Sequence, residues 1–529
     1  MEALAGLFPN LYLGFSIALS PENLAYCFIG VFVGTVIGVL PGIGPLAAIA
    51  MLMPLTFKLP PIAALIMLSG IYYGTKYGGS TTAIMLKLRG ESASVVTCLD
   101  GYEMAKQGRA GPALGMAAVA SFIAGSIGTV LIGMFGPPLA EVALLFGAPE
   151  YFSLMLFSLD GAAVLVQGSM VKALGMIGLG LLFGIVGTDV NSGMSRFTFG
   201  VTGLTDGISF VVIAMGLFGL GEIVANLEQG SMNRDLLFQK VKNLWPTWTD
   251  FKRSTYPMMR GTVVGAFFGI LPGAGPTIAS FSAYTLEKKV SKNREQFGKG
   301  AIEGVASPEA ANNAASQCEF IPTLALGVPG SATMALILGA LMIQGIAPGP
   351  EVMTRRPDLF WGLIASMWIG NAMLLVLNLP LIGIWVKLLT VPYRILFPAI
   401  MVFMAIGVYS VNNSALDIHL ALLFGVLGYV FIKLECEPAP LILAVVLGPL
   451  MEENLRRALL ISRGDASVLV TRPISAGFLI ATFLLFIVMI IPAIRGRRGQ
   501  VTGVSANPAG PPRHSPFSDA PAKQPQADG

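Results

Sequence analysis

Apolar runs long enough to cross a bilayer recur along the chain, separated by short polar stretches. Ala113–Phe135, Phe360–Leu379 and Ile474–Ile491 are three of them, and about 20 apolar residues suffice for one helical span. The first run, Leu24–Leu40, follows a segment with no Lys or Arg among residues 1–20. A basic leader region is missing there, so the pattern predicts a retained span rather than a cleaved signal peptide. The alternation predicts an all-α polytopic membrane protein.

The apolar runs are interrupted by glycine and proline in matched places. Gly38-Val39-Leu40-Pro41-Gly42-Ile43-Gly44-Pro45 returns as Gly269-Ile270-Leu271-Pro272-Gly273-Ala274-Gly275-Pro276, an offset of 231. Gly79-Ser80-Thr81-Thr82 pairs with Gly330-Ser331-Ala332-Thr333 at 251, and Leu182–Gly187 pairs with Leu423–Gly428 at 241. One such match is at chance level, but the ordered set predicts a duplication. The expected layout is an N-terminal segment (1–23), a first transmembrane repeat (24–227), a polar connecting loop (228–260) and a second repeat (261–452). A basic loop (453–472), a terminal transmembrane helix (473–494) and a disordered tail rich in Pro, Ala, Gly and Ser (495–529) complete it. Both Pro-Gly-x-Gly-Pro and Gly-Ser-x-Thr are expected to be breaks in helices.

Charge adds orientation. Lys252, Arg253 and Arg260 precede the second Pro-Gly-x-Gly-Pro segment, and Lys288, Lys289, Lys292, Arg294 and Lys299 follow it. Basic loops stay cytoplasmic, while the pieces 261–271 and 277–286 are each too short to cross. A re-entrant hairpin from the cytoplasm satisfies both. The twin segment has no Lys or Arg before Lys58, which places its entry on the other side. The expected fold is therefore two inverted-topology repeats with Gly/Pro-broken helices or re-entrant hairpins.

Composition excludes other classes. Of 529 residues, 54% are apolar and only 12% charged, where soluble domains carry about 25%; the mean hydropathy is +0.74. A cytosolic enzyme, a nucleic-acid binder and a disordered scaffold do not fit. The four cysteines, Cys27, Cys98, Cys318 and Cys436, are isolated, and His419 and His514 are too few for a histidine-ligated centre. No His-Glu-x-x-His and no phosphate-binding Gly-x-x-x-x-Gly-Lys-[Ser/Thr] occurs, so no enzyme activity, no resident cofactor and no ATP site are expected.

The breaks carry the candidate chemistry. Glycine admits positive φ and close approach, and a broken helix offers carbonyl ends to cations and N–H ends to anions. Paired broken segments mark transporter binding sites. The candidate substrate contacts are therefore Gly42 and Gly44, Gly273 and Gly275, then Gly79, Ser80 and Thr82 with Gly330, Ser331 and Thr333. Asn312 and Asn313 join them, because two adjacent amides in an alanine-rich helix need a polar cavity. Ser307-Pro308-Glu309 reads as a helix start, with Glu309 as its dipole-compensating acid. Lys76 is the one cation near an interruption. It either meets an anionic substrate or snorkels to the interface.

These motifs resemble a known family. Gly70-Ile71-Tyr72-Tyr73-Gly74, Tyr77–Thr82, Asp100-Gly101-Tyr102-Glu103-Met104-Ala105, Leu271–Pro276 and Pro308–Ala314 stand in the order found in the TctA family. That family comprises the large membrane subunits of the tripartite tricarboxylate transporters. The similarity covers about residues 20–450. It implies a multi-pass permease of the bacterial inner membrane, working with a small four-helix membrane subunit (TctB-like) and a periplasmic solute-binding protein (TctC-like). It implies secondary uptake of citrate-like carboxylates with Na⁺ or H⁺ as coupling ion; Na⁺ would sit at Pro41–Gly44, Pro272–Gly275 or Asn312. Lys87-Leu88-Arg89-Gly90 stands where members usually carry an Asn-x-Pro-Gly turn. A single-component carboxylate or amino-acid symporter, or a channel, are the alternatives.

Overall fold

A computed structural model describes residues 7–494 apart from 41–42, 87–90, 166–168, 190, 229–242, 272, 274 and 390–392. Pro41, Gly42, Pro272 and the Lys87–Gly90 stretch therefore lie outside the described residues, as does the expected tail. The described residues are helical almost throughout, with one antiparallel pair of two-residue strands among them, β1 (Gly187–Thr188) and β2 (Ser195–Arg196).

The chain opens with α1 (Leu7–Ala18), α2 (Pro21–Val39), α3 (Pro45–Thr56) and α4 (Pro61–Leu86). Next come α5 (Val95–Lys106), α6 (Ala110–Ala143), α7 (Ala148–Leu165), α8 (Met170–Gly184) and α9 (Phe210–Glu228), the last with a π turn at Met215–Leu220. The second half begins with α10 (Trp248–Ile270), α11 (Gly275–Val290), α12 (Glu303–Cys318), α13 (Phe320–Ala325) and α14 (Ala332–Ile343). It continues through α15 (Glu351–Arg355), α16 (Pro357–Asn378), α17 (Ile382–Leu388), α18 (Tyr393–Asn412) and α19 (Ala415–Lys433). Helices α20 (Ala439–Ile461), α21 (Val468–Thr471) and α22 (Pro473–Ile494) close it. Among the described residues, α2, α6, α9, α16 and α19 are long and apolar enough to cross a membrane. The chain is a multi-pass membrane protein.

The glycine pattern explains which helices meet. On α2, Gly30, Gly34 and Gly38 face the carbonyls of Met67, Ile71 and Thr75 on α4. On α10, Gly261, Gly265 and Gly269 face those of Ser307, Ala311 and Ala315 on α12. A Cβ at any of the six would come within 3.0 Å of backbone. Lipid supplies no hydrophobic drive between helices, so small residues that admit close van der Waals contact take its place. The exchange recurs at the other end of each half. Gly180 and Gly184 of α8 lie on Leu441 and Val445 of α20, while Gly425 and Gly428 of α19 lie on Leu220 and Leu217 of α9. Helix α12 is buried along its whole length and α4 over nearly all of it, and the two meet through side chains such as Ser80 and Glu309.

Three expectations are corrected. The first Gly-Ser-x-Thr segment is no break, since α4 runs unbroken through Gly78–Thr82. Gly70, Gly74 and Gly78 serve α2's approach, and the Ser80 and Thr82 hydroxyls reach back to the carbonyls of Lys76 and Gly78. Helix α12 starts at Glu303, so Ser307-Pro308-Glu309 lies inside it. A tertiary clamp starts it early: the Asp100 carboxylate accepts the N–H groups of Gly298, Gly300 and Ala301 and the Tyr284 hydroxyl at 2.8–2.9 Å. The helix entering the second break is also longer than expected, because a Thr247–Asp250 capping box starts α10 at Trp248. Its 23 residues are not a half-span piece.

Outside the helices, Asp189 gathers the loop after α8. Its carboxylate accepts the N–H groups of Asn191 and Ser192 and pairs with Arg196 and Arg456. Those N–H groups first, and then the two guanidiniums, hold it down to about 2.

Gly34→Ala and Gly265→Ala are expected to lower the unfolding temperature in detergent, each costing about 1–3 kcal/mol as the helices are pushed apart. Gly178, around which a Cβ meets open space, is the control, and Gly178→Ala should not destabilise. Equal behaviour of all three would refute the packing account.

Candidate functional site

Successive turns of α4 bring Tyr72, Lys76 and Ser80 onto one face, at i, i+4 and i+8. The opposing face of α12 carries Glu309, Asn312 and Ser316, and Glu319 follows at its end. The stretch between α4 and α5 brings in Glu91. Helices α5 and α6 add Thr97 and Ser121.

These side chains form a buried polar network. The Lys76 ammonium donates to Glu91 Oε2 at 2.7 Å and lies 5.2 Å from the Tyr72 ring centre. Asn312 Nδ2 donates to the other Glu91 oxygen at 2.7 Å. Lys76 is only 3% exposed, so it does not snorkel to the interface. Glu309 receives the hydroxyls of Ser80 at 2.7 Å, Thr97 at 2.6 Å and Ser121 at 3.4 Å. Asn313 Nδ2 donates to Ser121 Oγ at 2.7 Å and to the Glu309 carbonyl at 3.1 Å. The Tyr72 hydroxyl donates to Glu319.

The charges do not balance. Lys76 is the one buried lysine or arginine among the described residues, and it faces three carboxylates. Acids nearer the periphery have arginine partners: Glu150 with Arg472, Asp250 with Arg109, Glu287 with Arg260 and Glu303 with Arg253. Glu309 and Glu319 have hydroxyls instead. An ionised carboxylate is expensive in a low-dielectric interior unless paired. Asn312 Oδ1 and Glu319 Oε2 are fully buried acceptors with no hydrogen-bond partner among the described residues. Among the described residues, which leave out Lys87 and Arg89, the site is short of positive charge and of hydrogen-bond donors.

The breaks join this network at its edges. Thr82 donates to the Val39 carbonyl at 2.7 Å, tying α4 to the last turn before the first break. Gly44 caps α3 in extended backbone, φ −76°, and a Cβ there meets open space. Its glycine is not needed for positive φ. The second break is different: Gly273 (φ 84°) and Gly275 (φ 62°) are left-handed, and the Gly273 N–H donates to the Gly330 carbonyl at 2.9 Å. Ser331 caps α14 by accepting from Met334 N, with Thr333 buried in the first turn. The second Gly-Ser-x-Thr is therefore a true break, and it contacts the second Pro-Gly-x-Gly-Pro.

The helix register also revises the pairing of motifs. Ile71 and Ala311 take the same place in the two glycine contacts, and 311 − 71 = 240. That spacing matches Gly79 with Glu319, and Glu91 with Ser331. A Cβ on Gly79 would meet Glu91, and one on Gly330 would meet Glu319. Each half thus sets a glutamate over a glycine, with the glycine first in one half and the glutamate first in the other.

Sequence reasoning named Ser80, Asn312, Asn313 and Lys76, which the structure brings together. It missed Glu91, Glu319, Tyr72, Thr97 and Ser121, and read Glu309 as a helix-end acid. The available signal was the spacing of Glu309, Asn312, Ser316 and Glu319, which is one helical face. Nothing local marks Glu91 or Thr97. Among the described residues, no group of three or more His, Cys, Asp or Glu side chains is placed to hold a metal ion.

Comparison with known proteins gives this geometry a context. The family described as "Tripartite tricarboxylate transporter TctA family" matches residues 24–443. The chain belongs to the TctA family. That membership makes it a component of a tricarboxylate transporter family. It is 56% identical over 495 residues, 94% of the chain and 98% of the relative, to an "Uncharacterized 52.8 kDa protein in TAR-I ttuC' 3'region" of Agrobacterium vitis. It is 59% identical over 237 residues, 45% of the chain, to an "Uncharacterized protein in TAR-II ttuC' 3'region" of the same organism, 98% of which is covered. No solved structure matches the chain.

Lys76→Met leaves Glu91 buried without its cation, which costs about 3–5 kcal/mol where such a pair is broken. The double variant K76M/E91Q removes both charges and should unfold at a higher temperature in detergent than K76M alone. Additive losses would show that the two residues do not act as a pair.

Proposed function

We propose that this TctA-family chain is the large permease subunit of a tripartite, binding-protein-dependent secondary transporter in the bacterial inner membrane. It imports tricarboxylates or related carboxylates, with a small four-helix membrane subunit and a periplasmic solute-binding protein, and is driven by a Na⁺ or H⁺ gradient. The observation that carries the reading is the charge deficit between α4 and α12 among the described residues. An anionic substrate entering an interior with three carboxylates and one ammonium meets repulsion unless cations enter with it. Coupling is then a condition of binding.

In this reading Ser80, Asn312, Asn313 and the Gly273–Gly275 and Gly330–Thr333 backbone form the substrate's surroundings, with Lys76 as its one positive contact. Gly44 and Thr82 hold the equivalent edge in the first half. The recurrence of the glycine contacts supports a repeat architecture, and the bare and basic flanks of the two breaks support its inversion. Broken helices in such repeats present N–H ends to carboxylates near the membrane midplane.

The test is uptake of labelled di- and tricarboxylates into proteoliposomes, with both partners present or omitted. Saturable uptake that needs both partners and a cation gradient is expected. Non-saturating flux without a gradient would make the chain a channel, and full uptake without the binding protein would make it a single-component symporter.

A further inference from the structure

Glu309 is surrounded by hydroxyls from three helices: Ser80 of α4, Thr97 of α5 and Ser121 of α6. Two of these contacts, at 2.7 and 2.6 Å, are direct. A bound hard cation stands about 2.0–2.6 Å from each oxygen ligand, which keeps ligand oxygens farther apart than that. The spacing is that of oxygens sharing protons.

The hydrogens can be assigned in two ways. Ser80 owns one hydroxyl proton but has two acceptors in reach, Glu309 Oε2 at 2.7 Å and the Lys76 carbonyl at 3.1 Å. With Glu309 ionised, Ser80 donates to it. With Glu309 protonated, Glu309 donates to Ser80, and Ser80 turns its proton to the Lys76 carbonyl. Both arrangements satisfy every hydrogen without moving a heavy atom. A small cleft lined by Tyr77, Ser80, Thr81, Ser121 and Asn378, with room for about one water, reaches two of the three hydroxyls.

Among the described residues, the surroundings supply no fixed cation for Glu309. On α4, Lys76 is committed to Glu91, and Tyr72 and Tyr77 are neutral phenols. Asp100 of α5 and Tyr284 of α11 are engaged with each other and with the 298–301 backbone. Arg253 and Arg260 of α10 are paired with Glu303 and with Glu287 of α11. Neither α13 nor the part of α6 beside Glu309 has a titratable group, and Glu319 is bonded to Tyr72.

We infer that Glu309 is a proton-binding group of this carrier, with Ser80 as the hydroxyl that switches its proton between the Glu309 carboxylate and the Lys76 carbonyl. Loading forms one Glu309 Oε2–H bond and breaks one O–H bond of a hydronium ion at the cleft, which becomes water; release reverses both, and no oxidation state changes. The purpose of this loading rests on the transporter reading, because a neutral Glu309 removes one negative charge before the carboxylate arrives.

The test is an infrared pH titration of the purified full-length chain in lipid, in Na⁺-free buffer, with no substrate or partner. The wild type should gain a protonated-carboxyl band as the pH falls, and E309Q should lose that band. Ser80→Ala and Thr97→Val should keep the band but shift its midpoint, and they serve if E309Q does not fold. A titrating band that survives unchanged in E309Q, or identical midpoints in all variants, overturns the assignment. So does a band that ignores pH and responds only to added Na⁺. Because no substrate is used, failure here leaves the transport reading standing. Absence of carboxylate uptake by the wild type would leave the band and its assignment standing.

Discussion

Helices that touch backbone to backbone set the geometry of this molecule. Gly30, Gly34 and Gly38 strip α2 of side chains along one line, and Gly261, Gly265 and Gly269 do the same for α10. Each bare line takes a buried helix, α4 or α12, in close contact. Those two helices are then held on one side by glycine and turn a polar face toward each other on another. Without the tight contact, neither would be fixed enough to hold Ser80 at 2.7 Å from Glu309 or Asn312 at 2.7 Å from Glu91. A polar network of this kind is costly when partly made, so its scaffold has to be rigid.

Much of this architecture is written in local sequence. Apolar run length gave the membrane, and Pro-Gly-x-Gly-Pro marked the two places where helices end. Asn312 and Asn313 stood out because amides are conspicuous among alanines. What local reading could not supply depends on tertiary partners. Gly79-Ser80-Thr81-Thr82 has the composition of a break, yet it stays helical because its hydroxyls bond to the preceding turn and its glycine neighbours face α2. Ser307-Pro308-Glu309 has the grammar of a helix start, yet Asp100, some 200 residues earlier in the chain, starts α12 a turn ahead. Glu309 is thereby moved from a helix end to a helix interior, and its role changes from dipole compensation to the centre of a hydroxyl cage.

The same comparison revises the internal duplication. The glycines facing α4 and α12 carry the same offset of 231 that pairs Gly38 with Gly269, but the two Gly-Ser motifs do not occupy equivalent places. The structural register matches Gly79 with Glu319 and Glu91 with Ser331. One half supplies its glutamate from the helix and the other from the stretch after it, and both carboxylates end beside α4. Duplicated folds tolerate such exchanges because a buried charge needs a partner wherever it starts.

The proposed carrier brings its carboxylate into the space between α4 and α12. A version lacking the four native cysteines, with Ser80→Cys on the cleft side of α4, tests it directly. The measurement is labelling by a membrane-impermeant thiol reagent, applied from either side of sealed vesicles containing both partner subunits. Labelling from both sides, slowed when a transported carboxylate is present, is the predicted result. A thiol that reacts from neither side, or at a rate indifferent to every carboxylate that the vesicles take up, would contradict it.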